Sequence, residues 1–183
     1  MLSMRALRIP EVRVFEPRVF ADDRGSFIEA WNTRTLGVAG LHENFVQDNL
    51  VHSQRGVVRG LHYQMGHPQG KLVRCVAGEI FDVAVDLRKS SATFGESVAE
   101  ILSRENGFSM WIPPGFAHGY AVVSESASVY YKCTQFYEPG GERTLRWDDP
   151  ALGISWPLEQ LGALLMNARD ADAPLLSAAE AYS

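Results

Sequence analysis

Two of the five histidines stand in company that suggests chemistry. His62 lies in Arg55-Gly56-Val57-Val58-Arg59-Gly60-Leu61-His62-Tyr63-Gln64, and His118 in Trp111-Ile112-Pro113-Pro114-Gly115-Phe116-Ala117-His118-Gly119. An imidazole can accept a proton near pH 7 or ligate a metal, so glycine-flanked histidines on strand-like segments are candidates for either task. His42, His52 and His67 sit among polar, loop-like residues and read as surface. Tyr131 falls on the alternating run Val129 to Tyr137, where Val129, Tyr131, Cys133, Gln135 and Tyr137 share one face. On pattern alone it is either a proton donor or a core tyrosine with a satisfied hydroxyl. Tyr130, on the other face, reads as structural.

Such side chains need a rigid frame, and the sequence predicts one made of strands. Phe81 to Leu87 alternates large apolar residues with Asp82, Ala84 and Asp86, a period of two. Lys71 to Val76 runs ahead of it, with Ala77-Gly78-Glu79 read as a hairpin turn between them. Met110 to Ile112, Tyr120 to Val123 and Val12 to Phe15 are further strand candidates. Asn32 is placed to cap a short helix through Leu36 that Gly37 ends, and the last forty or so residues hold one or two short helices around Trp156 to Leu165. Many short strands with turn signals and few helices predict an all-β sandwich or barrel.

The 183 residues carry 17 Lys+Arg against 22 Asp+Glu, a net charge of −5. Without a basic run, binding to nucleic acid or anionic lipid through the overall field is disfavoured. No apolar run reaches the ~18 residues of a membrane span, and the first residues lack a secretory pattern. Cys75 and Cys133 are isolated and read as buried thiols of a reducing compartment. The expectation is one cytoplasmic domain over residues 1–183.

Gly56 followed after five residues by His62, and Pro113-x-Gly115-x-x-His118, resemble the two short motifs of the cupin superfamily, whose fold is a double-stranded β-helix, or jelly roll. Metal-binding cupins carry His-x-His and a nearby Glu in the first motif. Here Gln64 replaces the second His and no Glu stands at the expected spacing, so the resemblance implies no metal and no cofactor.

Longer blocks resemble one family within it, the dTDP-4-dehydrorhamnose 3,5-epimerases. They include Arg24 to Glu29, Phe45 to Asn49, Arg55 to Gln64, Pro68 to Val73, Gly78 to Asp86, Trp111 to Gly119, Tyr131 to Thr134 and Arg146 to Pro150. The resemblance implies an isomerase that inverts the carbons flanking the C4 ketone of a 6-deoxyhexose carried on dTDP, in dTDP-L-rhamnose biosynthesis for surface polysaccharide. By the same resemblance His62 is the base, Asp170 its carboxylate partner, Tyr131 the acid on the opposite face, and Lys71 the cation beside the C4 oxygen. Apart from that role, Asp170 reads as readily as a helix cap or exposed charge. Tyr137 matches the residue stacked on thymine. Arg24, Glu29, Gln47, Asp48, Asn49, Arg59, Lys71, His118, Glu142 and Arg169 match substrate-binding positions. The family also implies a homodimer with exchanged strands or a shared site, Arg24 and Glu29 being the residues placed to cross. Alternatives are an epimerase acting at C3 or C5 alone, a metal-dependent cupin, and a non-catalytic sugar-nucleotide sensor.

Overall fold

Alternation along the chain sorts the strands into two facing sheets. The structure, a computed structural model, describes residues 2–183. Its strands are β1 (Ser3–Ala6), β2 (Arg13–Glu16), β3 (Val19–Asp22), β4 (Gly25–Ile28), β5 (Gln47–Gln54), β6 (Val58–Gln64) and β7 (Lys71–Ala77). There follow β8 (Glu79–Asp86), β9 (Ser97–Ser103), β10 (Ser109–Ile112), β11 (Phe116–Val122), β12 (Ser126–Cys133) and β13 (Glu142–Thr144). One sheet runs β1-β2-β10-β7-β12-β5 and the other β13-β6-β11-β8-β9, with β3 and β4 forming a separate two-stranded ribbon. The alternating runs and turn signals predict an all-β sandwich or barrel, and the two sheets take the jelly-roll form that the cupin resemblance implies.

Period-two patterning sends one set of side chains into the space between the sheets. Val14, Val73, Cys75, Met110 and Val129 from the six-stranded sheet meet Ile80, Ala84, Leu102, Phe116 and Tyr120 from the five-stranded one. The alternate residues are also apolar where a terminal segment covers them. Leu61, Val83, Val85 and Ala117 pack under Leu145, Leu152 and Ala181, while Phe15, Leu72 and Trp111 pack under Leu36 and Leu41. Burying each large apolar side chain contributes about 1.5–3 kcal/mol. The odd residues of the Phe81 to Leu87 run therefore face the C-terminal segment, and Asp82 and Ala84 face the interior.

Three local expectations need correction. Ala77-Gly78-Glu79 is not a hairpin: β7 pairs with β10 and β12, β8 pairs with β9 and β11, and the chain crosses between sheets at Gly78. Gly78 has φ +73°, and a Cβ there would lie 1.9 Å from the Ser126 carbonyl oxygen. The run from Val129 does not continue to Tyr137, because β12 ends at Cys133. Helix α1 (Thr33–Val38) passes through Gly37; Asn32 caps it, accepting from the backbone N–H groups of Arg34 and Thr35. The tail holds a 3-10 turn (Pro150–Leu152) and two four-residue helices, α2 (Leu158–Leu161) and α3 (Ala168–Ala171). Among the described residues no helix is long and apolar enough to cross a membrane.

Candidate active site

The site is built around an irregularity in β6. On β11, His118 and Tyr120 are two residues apart and point the same way; opposite them on β6 stand His62 and Arg59, three apart. This bulge turns both β6 side chains to the inner face and releases the Gly60 N–H from the ladder. That N–H donates to Asp170 Oδ2 at 3.1 Å. The close approach needs glycine, since a Cβ on Gly60 would lie 2.7 Å from the Gly119 Cα.

Asp170 is held from its own side too. Asn167 caps α3 by accepting from the Asp170 N–H at 2.7 Å. The carboxylate, 1% exposed, lies 2.8 Å from His62 Nε2. Burial alone would raise the Asp170 pKa, but the His62 and Gly60 hydrogen bonds outweigh it and the pKa is lowered. An ionised carboxylate only accepts, so Nε2 carries the hydrogen and Nδ1 is left free to take a proton.

His62 opens on a cleft of about 230 Å³, which Lys71, Tyr131, Cys133, Gln47 and Asn49 also line. Lys71, the first residue of β7, reaches the His62 carbonyl oxygen at 3.5 Å, and burial pushes its ammonium pKa down. Tyr131 packs against the inter-sheet core, and burial pushes its phenol up to about 12. It is thus a neutral donor at ordinary pH. At the rim, the Tyr137 hydroxyl donates to Glu142 at 2.6 Å and the Arg169 guanidinium to the same carboxylate at 2.8 Å. The Arg169 hydrogen bond is the main reason the Glu142 pKa falls to about 2. One face of the cleft offers a base, another a phenol, and a cation stands beside them: the set needed to move a proton on a carbon next to a carbonyl.

A family model for dTDP-4-dehydrorhamnose 3,5-epimerase matches residues 6–178. The chain belongs to that family. It is 55% identical to the dTDP-4-dehydrorhamnose 3,5-epimerase of Pseudomonas aeruginosa, over 93% of this chain and 88% of the relative. A Legionella pneumophila dTDP-6-deoxy-D-glucose-3,5-epimerase, solved with dTDP-4-keto-L-rhamnose, superposes with a TM-score of 0.93 at 44% identity, covering 98% of this chain and 95% of that one. A 3'-monoepimerase from Streptomyces bikiniensis gives 0.86 at 31% identity, over 94% and 87%. Like these relatives, the chain is an epimerase-type jelly roll.

Not every residue that the family pattern marks reaches the cleft. Asp48 does not: strand alternation puts Gln47 and Asn49 inward and Asp48 outward, where Tyr130 and Lys132 hold it at 2.6 and 2.8 Å. Tyr130 is accordingly an outer-face partner of that ion pair. His118 does not line the cleft either; it is buried behind His62, its Nε2 2.8 Å from Asp82 Oδ1. Arg59 shares the inner face with His62 and donates to Ser53 Oγ at 3.1 Å, outside the cleft lining. Arg169 walls an adjoining cleft of about 700 Å³ that shares Tyr63 and Glu142. Arg24 and Glu29 lie elsewhere, Arg24 paired with Asp22 on the exposed ribbon and Glu29 accepting from Asn32 and Thr35. Tyr137 reaches the cleft from a loop, not from the far end of the Tyr131 strand.

Sequence reasoning passed over Tyr63, Gln64, Gln69 and Cys133 as lining residues. Gln64 and Cys133 carried a usable signal, each standing two residues along a strand from a candidate and therefore on its face. The Gln64 amide is engaged by the backbone, donating to the His67 and Phe136 carbonyls and accepting from the Glu138 N–H. Among the described residues no group of three or more His, Cys, Asp and Glu side chains could hold a metal ion.

Proposed function

We propose that this protein converts dTDP-4-dehydro-6-deoxy-D-glucose to dTDP-4-dehydro-L-rhamnose, inverting C3 and C5. The observation that carries this reading is the His62–Asp170 pair opening on the same cleft as Lys71 and Tyr131. His62 Nδ1 takes the proton next to the ketone, and Asp170 stabilises the resulting imidazolium. The electron pair moves onto the C4 oxygen, where the Lys71 ammonium meets the developing enolate. Tyr131 returns a proton to the opposite face and is itself reprotonated from solvent, while the His62 imidazolium gives its proton up to solvent. A second cycle inverts the other carbon. Gln47, Asn49, Glu142 and Arg169 serve the nucleotide-sugar, and Tyr137 the thymine ring.

A homodimer completes this picture. Val19, Phe20 and Phe27 leave apolar surface exposed on the β3–β4 ribbon, and an isolated two-stranded ribbon is marginal in water. A second copy covering it would bring Arg24 and Glu29 to a neighbouring cleft.

Proton NMR in deuterated water with the dTDP-4-keto-6-deoxyglucose substrate tests the reading. Deuterium at both C3 and C5 with rhamno product is expected. Exchange and inversion at one carbon would make the protein a mono-epimerase, and a substrate left unchanged would remove the activity altogether.

A further inference from the structure

The mechanism leaves unexplained a buried acid behind the cleft. Asp82 on β8 is fully buried and faces inward. Its Oδ1 takes the His118 hydrogen bond at 2.8 Å, while Oδ2 finds no hydrogen-bond partner among the described residues. Burial pushes the Asp82 pKa up, against the downward pull of His118 and the Lys71 charge. A carboxylate half satisfied in the centre of a barrel is costly unless such a charge compensates it. Register fixes what is near: His118 pairs with His62 on one side and with Ala84 on the other, and Asp82 is the next inward residue along β8. Lys71, reaching the His62 carbonyl from the opposite sheet, therefore stands over the same patch of interior.

Lys71 has the complementary deficit. It is desolvated, and its one hydrogen bond is a long one to a neutral carbonyl. Two carboxylates act on it, Asp82 and Glu142. Glu142 is already engaged by Arg169 and Tyr137, which leaves Asp82 with an oxygen to spare. His62 on β6, His118 on β11, and Tyr131 and Cys133 on β12 also face this space. Burial pushes the phenol to about 12 and raises the thiol pKa, so neither supplies negative charge at neutral pH.

We propose that Asp82, oriented by His118, is the buried counter-charge that keeps the Lys71 ammonium protonated, and so a positioning residue for the epimerase reaction. An enolate trap set inside a barrel meets a conflict: burial strengthens the cation's pull on the enolate yet drives the proton off the amine. A fixed carboxylate behind the amine, out of contact with substrate, resolves it. This rests on the enolate-stabilising role given to Lys71 above, and the experiment has one arm that does not depend on turnover.

Asp82→Asn keeps the shape and an oxygen to accept the His118 hydrogen bond, and removes only charge. The alkaline limb of kcat is expected to move to lower pH by about one unit or more, the scale on which an opposite charge within a few ångströms acts. Below the limb, kcat should stay within about threefold of wild type, whereas a merely structural role lowers kcat at every pH and leaves the limb in place. An unmoved limb overturns the proposal. The second arm uses Lys71→Met with 13C-labelled aspartate and follows the Asp82 carboxyl carbon by NMR. Coupling is reciprocal, so the Asp82 titration should move up by a comparable amount when the ammonium is gone, and an unchanged midpoint overturns the proposal even if Asp82→Asn does not fold. Full turnover by Lys71→Met would instead overturn the enolate role, a result the NMR arm reads separately.

Discussion

Tyr131 is the residue at which chemistry and packing can be told apart. It packs against the inter-sheet core and also lines the cleft, so its ring serves packing whatever its hydroxyl does. Tyr131→Phe keeps the ring and deletes the hydroxyl. The variant should still exchange substrate protons for solvent deuterium, since His62 and Asp170 are intact, while forming little rhamno product. His62→Asn should lose both exchange and turnover by roughly 100- to 10,000-fold, the usual contribution of a positioned base. Running both in one NMR series is decisive: normal inversion by Tyr131→Phe would assign the acid elsewhere. At this scale the sequence was most legible. Residue types that can hold, give or stabilise a proton are visible in a string of letters, and strand periodicity correctly paired Tyr131 with Cys133 and separated it from Tyr130. The family pattern marks Asp48 as a substrate contact beside Gln47 and Asn49; alternation excludes it only once the inward face is known, and the sequence alone does not say which face that is.

Elements account for what was not legible. An Ala-Gly-Glu turn between two alternating runs has the same local chemistry whether the next strand folds back beside the first or crosses to the other sheet. Partners distant in sequence decide between them, and β10 and β12 had already claimed both edges of β7. The crossing gives Gly78 its role. Gly78→Ala would put a Cβ into the Ser126 carbonyl at positive φ, and denaturant unfolding should show a loss of about 2 kcal/mol or more. Helix α3 is the other element that sequence hid, because four residues give no periodicity to read. It is too short to stand alone, and its cap holds Asp170 against His62. Asn167→Ala should cost about 1 kcal/mol of stability. It should also lower kcat more than it raises KM, since the base loses its orientation and not its substrate; an unchanged kcat would show that Gly60 alone fixes the carboxylate.

For the whole molecule, the end of β8 acts as a tie. Asp86 is buried and accepts from Arg88 and Thr93, Arg88 also reaches Glu11 near the start of the chain, and the Arg88 backbone bridges to Tyr182 near its end. Burial would raise the Asp86 pKa, but the hydrogen bonds from Arg88, Ser91 and Thr93 win and bring it to about 2. A folded pKa below the unfolded one stabilises the fold at pH values above the unfolded value near 3.8, and that contribution is lost as pH falls toward 2. It is worth about 2 kcal/mol. Asp86→Asn should therefore be less stable than wild type at pH 7, with the gap narrowing between about pH 4 and pH 2 in urea melts; a gap constant with pH would mean the charge is irrelevant. The order of strand pairing has a further consequence, in time. β8 pairs with β9, β7 with β10, β6 with β11 and β5 with β12, each pair enclosing the one before. Such a chain can zip outward from the β8–β9 connection with every closure made short by the last. His62, however, leaves the ribosome 108 residues ahead of Asp170. The barrel's inner pairs can form during synthesis, while the pair that would make it a catalyst waits for the final segment to dock.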